Sequence, residues 1–125
     1  MDENLHALLR IDIQKIIRVL DNLFTNAAKY SDDGAEIRLS AQKSEDRKML
    51  IVSVSDTGYG ISEEALPYIF GRTYTVSSAR TPNSKTGSGL GLSIVKAIIE
   101  RHGGTIRCES EQDKGSSFIF TLPIM

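Results

Sequence analysis

Three segments of this 125-residue chain place chemistry-bearing residues at spacings that a ligand site requires. Residues 86–92 read Thr86-Gly87-Ser88-Gly89-Leu90-Gly91-Leu92, with glycines on alternate positions running into an apolar-periodic segment of Ile94, Val95, Ile98 and Ile99. Glycines let the backbone approach a ligand closely, and a helix N-terminus presents unpaired N–H groups and a positive partial charge. The natural occupant is an anion, above all a phosphate chain. On this segment alone a plain flexible linker competes on equal terms.

The second segment is Asn22, Asn26 and Lys29, spaced i, i+4, i+7 and so sharing one helix face. A solvated polar face is the bland alternative, yet two mid-helix asparagines are poor helix formers. An asparagine carbonyl is a hard oxygen ligand suited to Mg²⁺, and a lysine one turn further meets phosphate. The third segment is Asp56-Thr57-Gly58-Tyr59-Gly60-Ile61, where the aspartate directly follows an apolar strand. A loop-opening aspartate that bonds its own backbone is one reading. The other is a buried carboxylate accepting from an exocyclic amine such as that of adenine.

The elements that must hold these segments follow from periodicity. Ile13, Ile16, Ile17, Leu20, Leu23, Phe24, Ala27 and Ala28 predict a helix over 12–30, capped by Asp12, with Asn22, Asn26 and Lys29 opposite the apolar stripe. Residues 37–40 and 49–54 read as strands joined by a charged hairpin loop over 43–48. A short helical piece is expected around 63–70, a long polar stretch over 71–88, and a helix over about 89–102 ending at Gly103-Gly104. Residues 105–110 and 117–122 form the last strand pair around Gln112-Asp113-Lys114-Gly115. Both helices need a cover for one apolar face. The order therefore predicts an α+β two-layer sandwich, with a mixed, mostly antiparallel sheet covered on one face by helices. A loop as long as 71–88 suits a lid.

Composition sets the bounds. The chain is 40% hydrophobic and 25% charged with net charge −1, which suits one domain and gives no electrostatic reason to expect nucleic acid or an anionic membrane. Cys108 is the single cysteine, so no intrachain disulfide forms; its place in the alternation Ile106, Cys108, Ser110 reads as a plain half-buried thiol. No apolar run reaches membrane-spanning length and no signal peptide is visible.

Taken in order, 22–30 (Asn22 to Tyr30), 56–60 (Asp56 to Gly60) and 87–92 (Gly87 to Leu92) resemble the asparagine box and two glycine boxes of the sensor histidine kinases of two-component signalling. Ile69-Phe70-Gly71-Arg72-Thr73-Tyr74 resembles the phenylalanine box, and residues 115–123 resemble the usual close of that domain. The likeness spans about residue 10 to 124. It implies the ATP-binding sandwich shared with heat-shock chaperones, type II topoisomerases and mismatch-repair ATPases, with ATP and Mg²⁺ as cofactors. By that resemblance Asn26 binds Mg²⁺, Asn22 lies near metal and phosphates, and Lys29 contacts phosphate. Tyr30 borders the adenine pocket, Asp56 accepts from the adenine amino group, and Gly58, Gly60 and Ile61 shape that pocket beside Phe70. Thr86, Gly87, Ser88, Gly89, Leu90, Gly91 and Leu92 form the lid hinge over the phosphates, and Arg72 approaches the terminal phosphate. Either Ser116 or Ser117 offers a hydroxyl near the adenine.

The chain departs from the pattern in two ways. Thr73 stands where the family has its second aromatic, and Thr75 stands where a basic residue is common. The phosphoacceptor motif is also missing, since His6 precedes Ala7 and His102 precedes Gly103; His102 reads as a residue favouring the dipole at a helix C-terminus. The expectation is a cytoplasmic, monomeric catalytic module over 1–125, with its lid at about 71–88 and no phosphoacceptor domain. It would serve a histidine-bearing dimerisation domain and a response regulator, without direct membrane contact, in a parent protein that spans a membrane or does not. An ATP hydrolase of the same fold needs a glutamate base where Asn22 stands, and a regulatory module without transfer activity is the third reading. No phosphate-loop or eukaryotic-type kinase signature occurs.

Overall fold

The computed structural model describes residues 8–29, 34–71 and 91–125. Helix α1 spans Ile13–Lys29. Asp12 caps it: its Oδ1 accepts from Lys15 N–H at 3.2 Å and its carbonyl accepts from Ile16 N–H at 3.0 Å. The buried line of α1 is Ile16, Val19, Leu23 and Ala27, with Leu20 and Phe24 packed beside it. This differs from the expected stripe. Ile13 and Ile17 are 64% and 58% exposed, whereas Val19 is fully buried. The helix packs against a second helix as well as the sheet, so the face turned toward both neighbours is the one buried.

Strands β1 (Ile37–Lys43), β2 (Met49–Asp56), β3 (Ile106–Glu111) and β4 (Gly115–Pro123) form a sheet in the order β1-β2-β4-β3. The sheet was expected to be mixed, mostly antiparallel; all three described pairings are antiparallel. Both hairpins are as expected, and β4 enters between β2 and β3. Val52 and Val54 on β2 and Phe118, Phe120 and Leu122 on β4 are buried, forming the core beneath the helices. On the opposite face, Ser55 and Ser117 share a hydroxyl–hydroxyl bond at 2.8 Å. The short helical piece is a 3-10 turn at Leu66–Tyr68, followed by buried Ile69.

Helix α2 spans Gly91–Arg101 and buries Val95, Ile98 and Ile99. It stops where Gly104 N–H returns to Ile99 C=O at 3.0 Å. A Cβ at Gly104 would lie 1.8 Å from Thr121 O, so only glycine lets the helix end dock on β4. His102 does more than favour a dipole. One ring nitrogen, Nδ1, lies 2.8 Å from Ile98 O, and the other, Nε2, accepts from Asp12 N–H at 3.0 Å. The start of α1 and the end of α2 are thereby joined at the Pro123 end of the sheet, which Gly103 also touches. Seventeen helical residues run about 25 Å, close to the length of an eight-residue strand. The last turns of α1 and the first turn of α2 thus lie toward the other end of the sheet, where β2 finishes at Asp56.

Candidate functional site

Asp56 closes β2 directly opposite Ser116 of β4. Opposed residues of an antiparallel pair share a face, and this is the face of Val54 and Phe118, the helix side. The Asp56 Oδ1 accepts from Gly58 N–H at 2.8 Å, and the Ser116 backbone N–H also bonds the carboxylate. The self-bonding turn and the half-buried carboxylate are therefore both present. Burial raises the Asp56 pKa above its ordinary 3.8 and outweighs the lowering by those two N–H donors.

The loop after Asp56 is tied down on both sides. Thr57 N–H donates to Glu36 O at 3.1 Å and Thr57 Oγ1 accepts from Glu36 N–H at 2.9 Å, which fixes the start of β1. Tyr59 O accepts from Asp113 N–H in the β3–β4 turn. Gly60 has φ +72°, and a Cβ there would lie 2.1 Å from Glu111 O, so the loop can rest on the end of β3 only with glycine at this place. Ile61 N–H donates to Ser110 Oγ at 2.7 Å. Ser110 gives its own proton to Gly115 O at 3.0 Å, so at 2.8 Å it accepts from the Ser116 hydroxyl.

Asp56, Ser116 and Ser110 thus form one polar row across three strands at the end of an otherwise apolar face. Of the two candidate serines, Ser116 shares the face of Asp56 and is 8% exposed, while Ser117 pairs with Ser55 on the other side. Ser110 was not singled out as a site residue. Its place at the polar end of the Ile106, Cys108, Ser110 series was the available signal. The Cys108 thiol is pushed up to about 12 by burial, then by the charges of Asp56 and Glu109, and stays protonated at neutral pH.

Asn22 and Asn26 are half-buried. They lie beside Val19 on the margin of the buried line instead of opposite it, because that line is turned away from Ile13 and Ile17. Gly91 heads α2 with open space where a Cβ would stand, and Leu92 packs against the core. Ile61 is a core residue, and Phe70 stands edge-on to Phe118 with ring centroids 6.2 Å apart. Tyr30, Arg72, Thr73, Thr75, Thr86, Gly87, Ser88, Gly89, Leu90 and the side chain of Lys29 lie outside the described residues, as do His6 and nearly all of the expected lid. Among the described residues, no three His, Cys, Asp or Glu side chains gather to hold a metal, and no helix is long and apolar enough to cross a membrane.

Known proteins share this sequence and fold. The chain is 42% identical over 115 residues to the sensor histidine kinase WalK of Bacillus subtilis (strain 168), covering 92% of this chain and 19% of that protein. It is 45% identical over 112 residues to the sensor protein SrrB of Staphylococcus aureus (strain NCTC 8325 / PS 47), covering 90% of this chain and again 19% of the relative. The chain therefore spans about a fifth of these curated relatives.

Among solved structures, the mycobacterial sensor histidine kinase MprB superposes with TM-score 0.81 at 28% identity, covering 93% of this chain and 76% of that one. The catalytic domain of histidine kinase ThkA, in a nucleotide-free form, gives TM-score 0.75 at 34% identity, covering 92% and 70%. Full-length ShkA in complex with AMPPNP gives TM-score 0.72 at 28% identity, covering 88% and 21%. The family pattern itself covers residues 11–125, and so the described helices α1 and α2 and strands β1 to β4. With that pattern and these relatives in agreement, the chain belongs to the histidine kinase-, DNA gyrase B- and HSP90-like ATPase family, as a homologue of sensor histidine kinases.

Proposed function

We propose that this chain binds Mg-ATP and directs its γ-phosphoryl group to a histidine on a separate helical phosphoacceptor domain, for later passage to a response regulator. The observation that carries this reading is Asp56. Its carboxylate is kept half-buried although burial disfavours its charge, at the sheet end toward which the last turns of α1 and the first of α2 point. A carboxyl group kept at a half-buried place, where desolvation disfavours its charge, supports a group kept for binding.

The donor set fits the nucleotide. Asp56 accepts the adenine amino group, Gly58 and Gly60 shape the floor, and Ser116 is the serine on the adenine side. Asn26 offers an amide oxygen to Mg²⁺, Asn22 stands one turn earlier, and Lys29 follows toward phosphate. Tyr30, Ile61 and Phe70 enclose the base. We read Thr86, Gly87, Ser88, Gly89, Leu90, Gly91 and Leu92 as the residues that meet the phosphates, and Arg72 as the one that meets the terminal phosphate. When bound, Mg²⁺ supplies neutralisation of phosphate charge. The protein's own part is positioning and electrostatics. The AMPPNP held by the ShkA relative supports a nucleotide here. We read residues 1–125 as one ATP-binding catalytic domain with its lid over 71–88, monomeric and on the cytoplasmic side, and the phosphoacceptor and response-regulator domains as its partners.

The test mixes the chain with terminally labelled ATP, alone and with its own phosphoacceptor domain as a second polypeptide. The expected result is label on the partner as an acid-labile, alkali-stable phosphate, with neither self-labelling nor brisk hydrolysis by this chain alone. Label on this chain, or phosphate release without the partner, would overturn the reading.

A further inference from the structure

We infer that His102 is a positioning residue for nucleotide binding, its ring held to Ile98 O within the end of α2 and joined by one hydrogen bond to Asp12 N–H at the start of α1; this rests on the nucleotide reading above. Ile98 O can only accept, so the Nδ1 at 2.8 Å from it carries the proton. Asp12 N–H can only donate, so the Nε2 at 3.0 Å from it is the lone pair. The partners therefore require the neutral Nδ1–H tautomer. A single planar ring links the Ile98 carbonyl near the end of α2 to the amide of Asp12, the residue that caps α1.

The tie lies at the end of the helix pair remote from Asp56. From Asp12 to Asn26 is about 21 Å of helix, so a rotation of about 5° about the tie moves Asn26 by about 2 Å. Displacements of that size are enough to spoil a metal and phosphate site. Ile13 and Ile17 are exposed in the first turns while Ile16 and Val19 hold them to the core; apolar contact is non-directional, and the ring's hydrogen bonds add the directional restraint. His102 touches no ligand. It sets where the asparagines stand relative to the first turn of α2.

Two measurements test this on the full chain. Imidazole nitrogen NMR at pH 8 reports the tautomer without any nucleotide, and the expected result is a protonated Nδ1. The Nε2–H form would overturn the proposal. Calorimetry with Mg-AMPPNP then compares the unaltered chain with His102→Ala, His102→Gln and Thr105→Ala, the last removing a hydroxyl contact with Thr121 at the same end of the sheet. His102→Ala is expected to bind about tenfold more weakly, because displaced asparagines meet Mg²⁺ and phosphate less well. His102→Gln, whose amide oxygen still accepts from Asp12 N–H, should recover part of that loss, and it provides a folded comparison if alanine unfolds the chain. Thr105→Ala should lower the thermal midpoint with affinity unchanged. Equal binding by His102→Ala, or an equal loss in Thr105→Ala, would overturn the positioning role. Absence of binding by the unaltered chain would instead overturn the nucleotide reading and the positioning role with it, while the tautomer still shows whether the tie exists.

Discussion

Asp56 and Ser116 stand opposite one another across β2 and β4, side chains on the helix-facing surface, with the Ser116 backbone N–H bonded to the Asp56 carboxylate. This pair ends the apolar run Val52, Val54 and Phe118, Phe120, and so sets a carboxyl group at the rim of the core.

Asp56→Asn keeps the shape but puts an amide donor in place of a carboxylate acceptor, facing the adenine amine. Loss of a charge-assisted bond in a half-buried place should cost about 2 kcal/mol of ATP binding. Preference for ATP over GTP should shrink with it in competition titrations. An unchanged preference would remove Asp56 as the reader of the base.

Asp56 also makes stability depend on pH. Its folded pKa is raised above 3.8, so over the interval from that value upward to the raised one the native chain holds a proton that the unfolded chain has released. Stability therefore falls as pH rises through that interval and is level above it. Asp56→Asn lacks this loss. The thermal midpoint of the variant minus that of the parent should grow as pH rises from about 4 and then flatten once the raised pKa is passed. A difference that stays constant, or shrinks with pH, contradicts the assignment.

Gly60→Ala must both adopt φ +72° and place a Cβ 2.1 Å from Glu111 O, against backbone that cannot swing aside. The expected cost is about 3 kcal/mol of fold stability, read from denaturant midpoints. Gly91→Ala, facing open space at the head of α2, should leave the midpoint unchanged or raise it. Similar behaviour of the two variants would show that the loop does not rest on β3 as described.

Asn26→Ala should bind ATP about tenfold more weakly in Mg²⁺ and change little without it. The fold should not suffer, since alanine is the better helix former and Asn26 sits beside the buried line, not within it. Calorimetric titration with and without Mg²⁺ decides. Equal affinity of parent and variant in Mg²⁺ would rule out the metal role.

Much of this molecule was legible from residue order, because its signals are local. Asp12 caps a 3.6-periodic helix, short turns join alternating strands, and Gly103-Gly104 stops α2; each depends on neighbours in sequence. The order of the boxes likewise carried the family, borne out over residues 11–125. What periodicity could not decide was orientation.

An apolar stripe says that a helix has a buried side, but the neighbours choose its centre; contact with α2 as well as the sheet turned Val19 inward and left Ile13 and Ile17 exposed. Two adjacent serines are equal in sequence, yet a strand's alternation puts only one on each face. The register of β4 against β2 gave Ser116 to Asp56 and Ser117 to Ser55. The register of β3 against β4 placed Ser110 beside Ser116 and within reach of Ile61 N–H, and the packing of two helices brought His102 to Asp12, ninety residues away. Residue types and local spacing thus determined which groups are available. Only the packing of distant segments decided which of them meet, because faces, registers and helix ends are fixed by contacts that no local pattern contains.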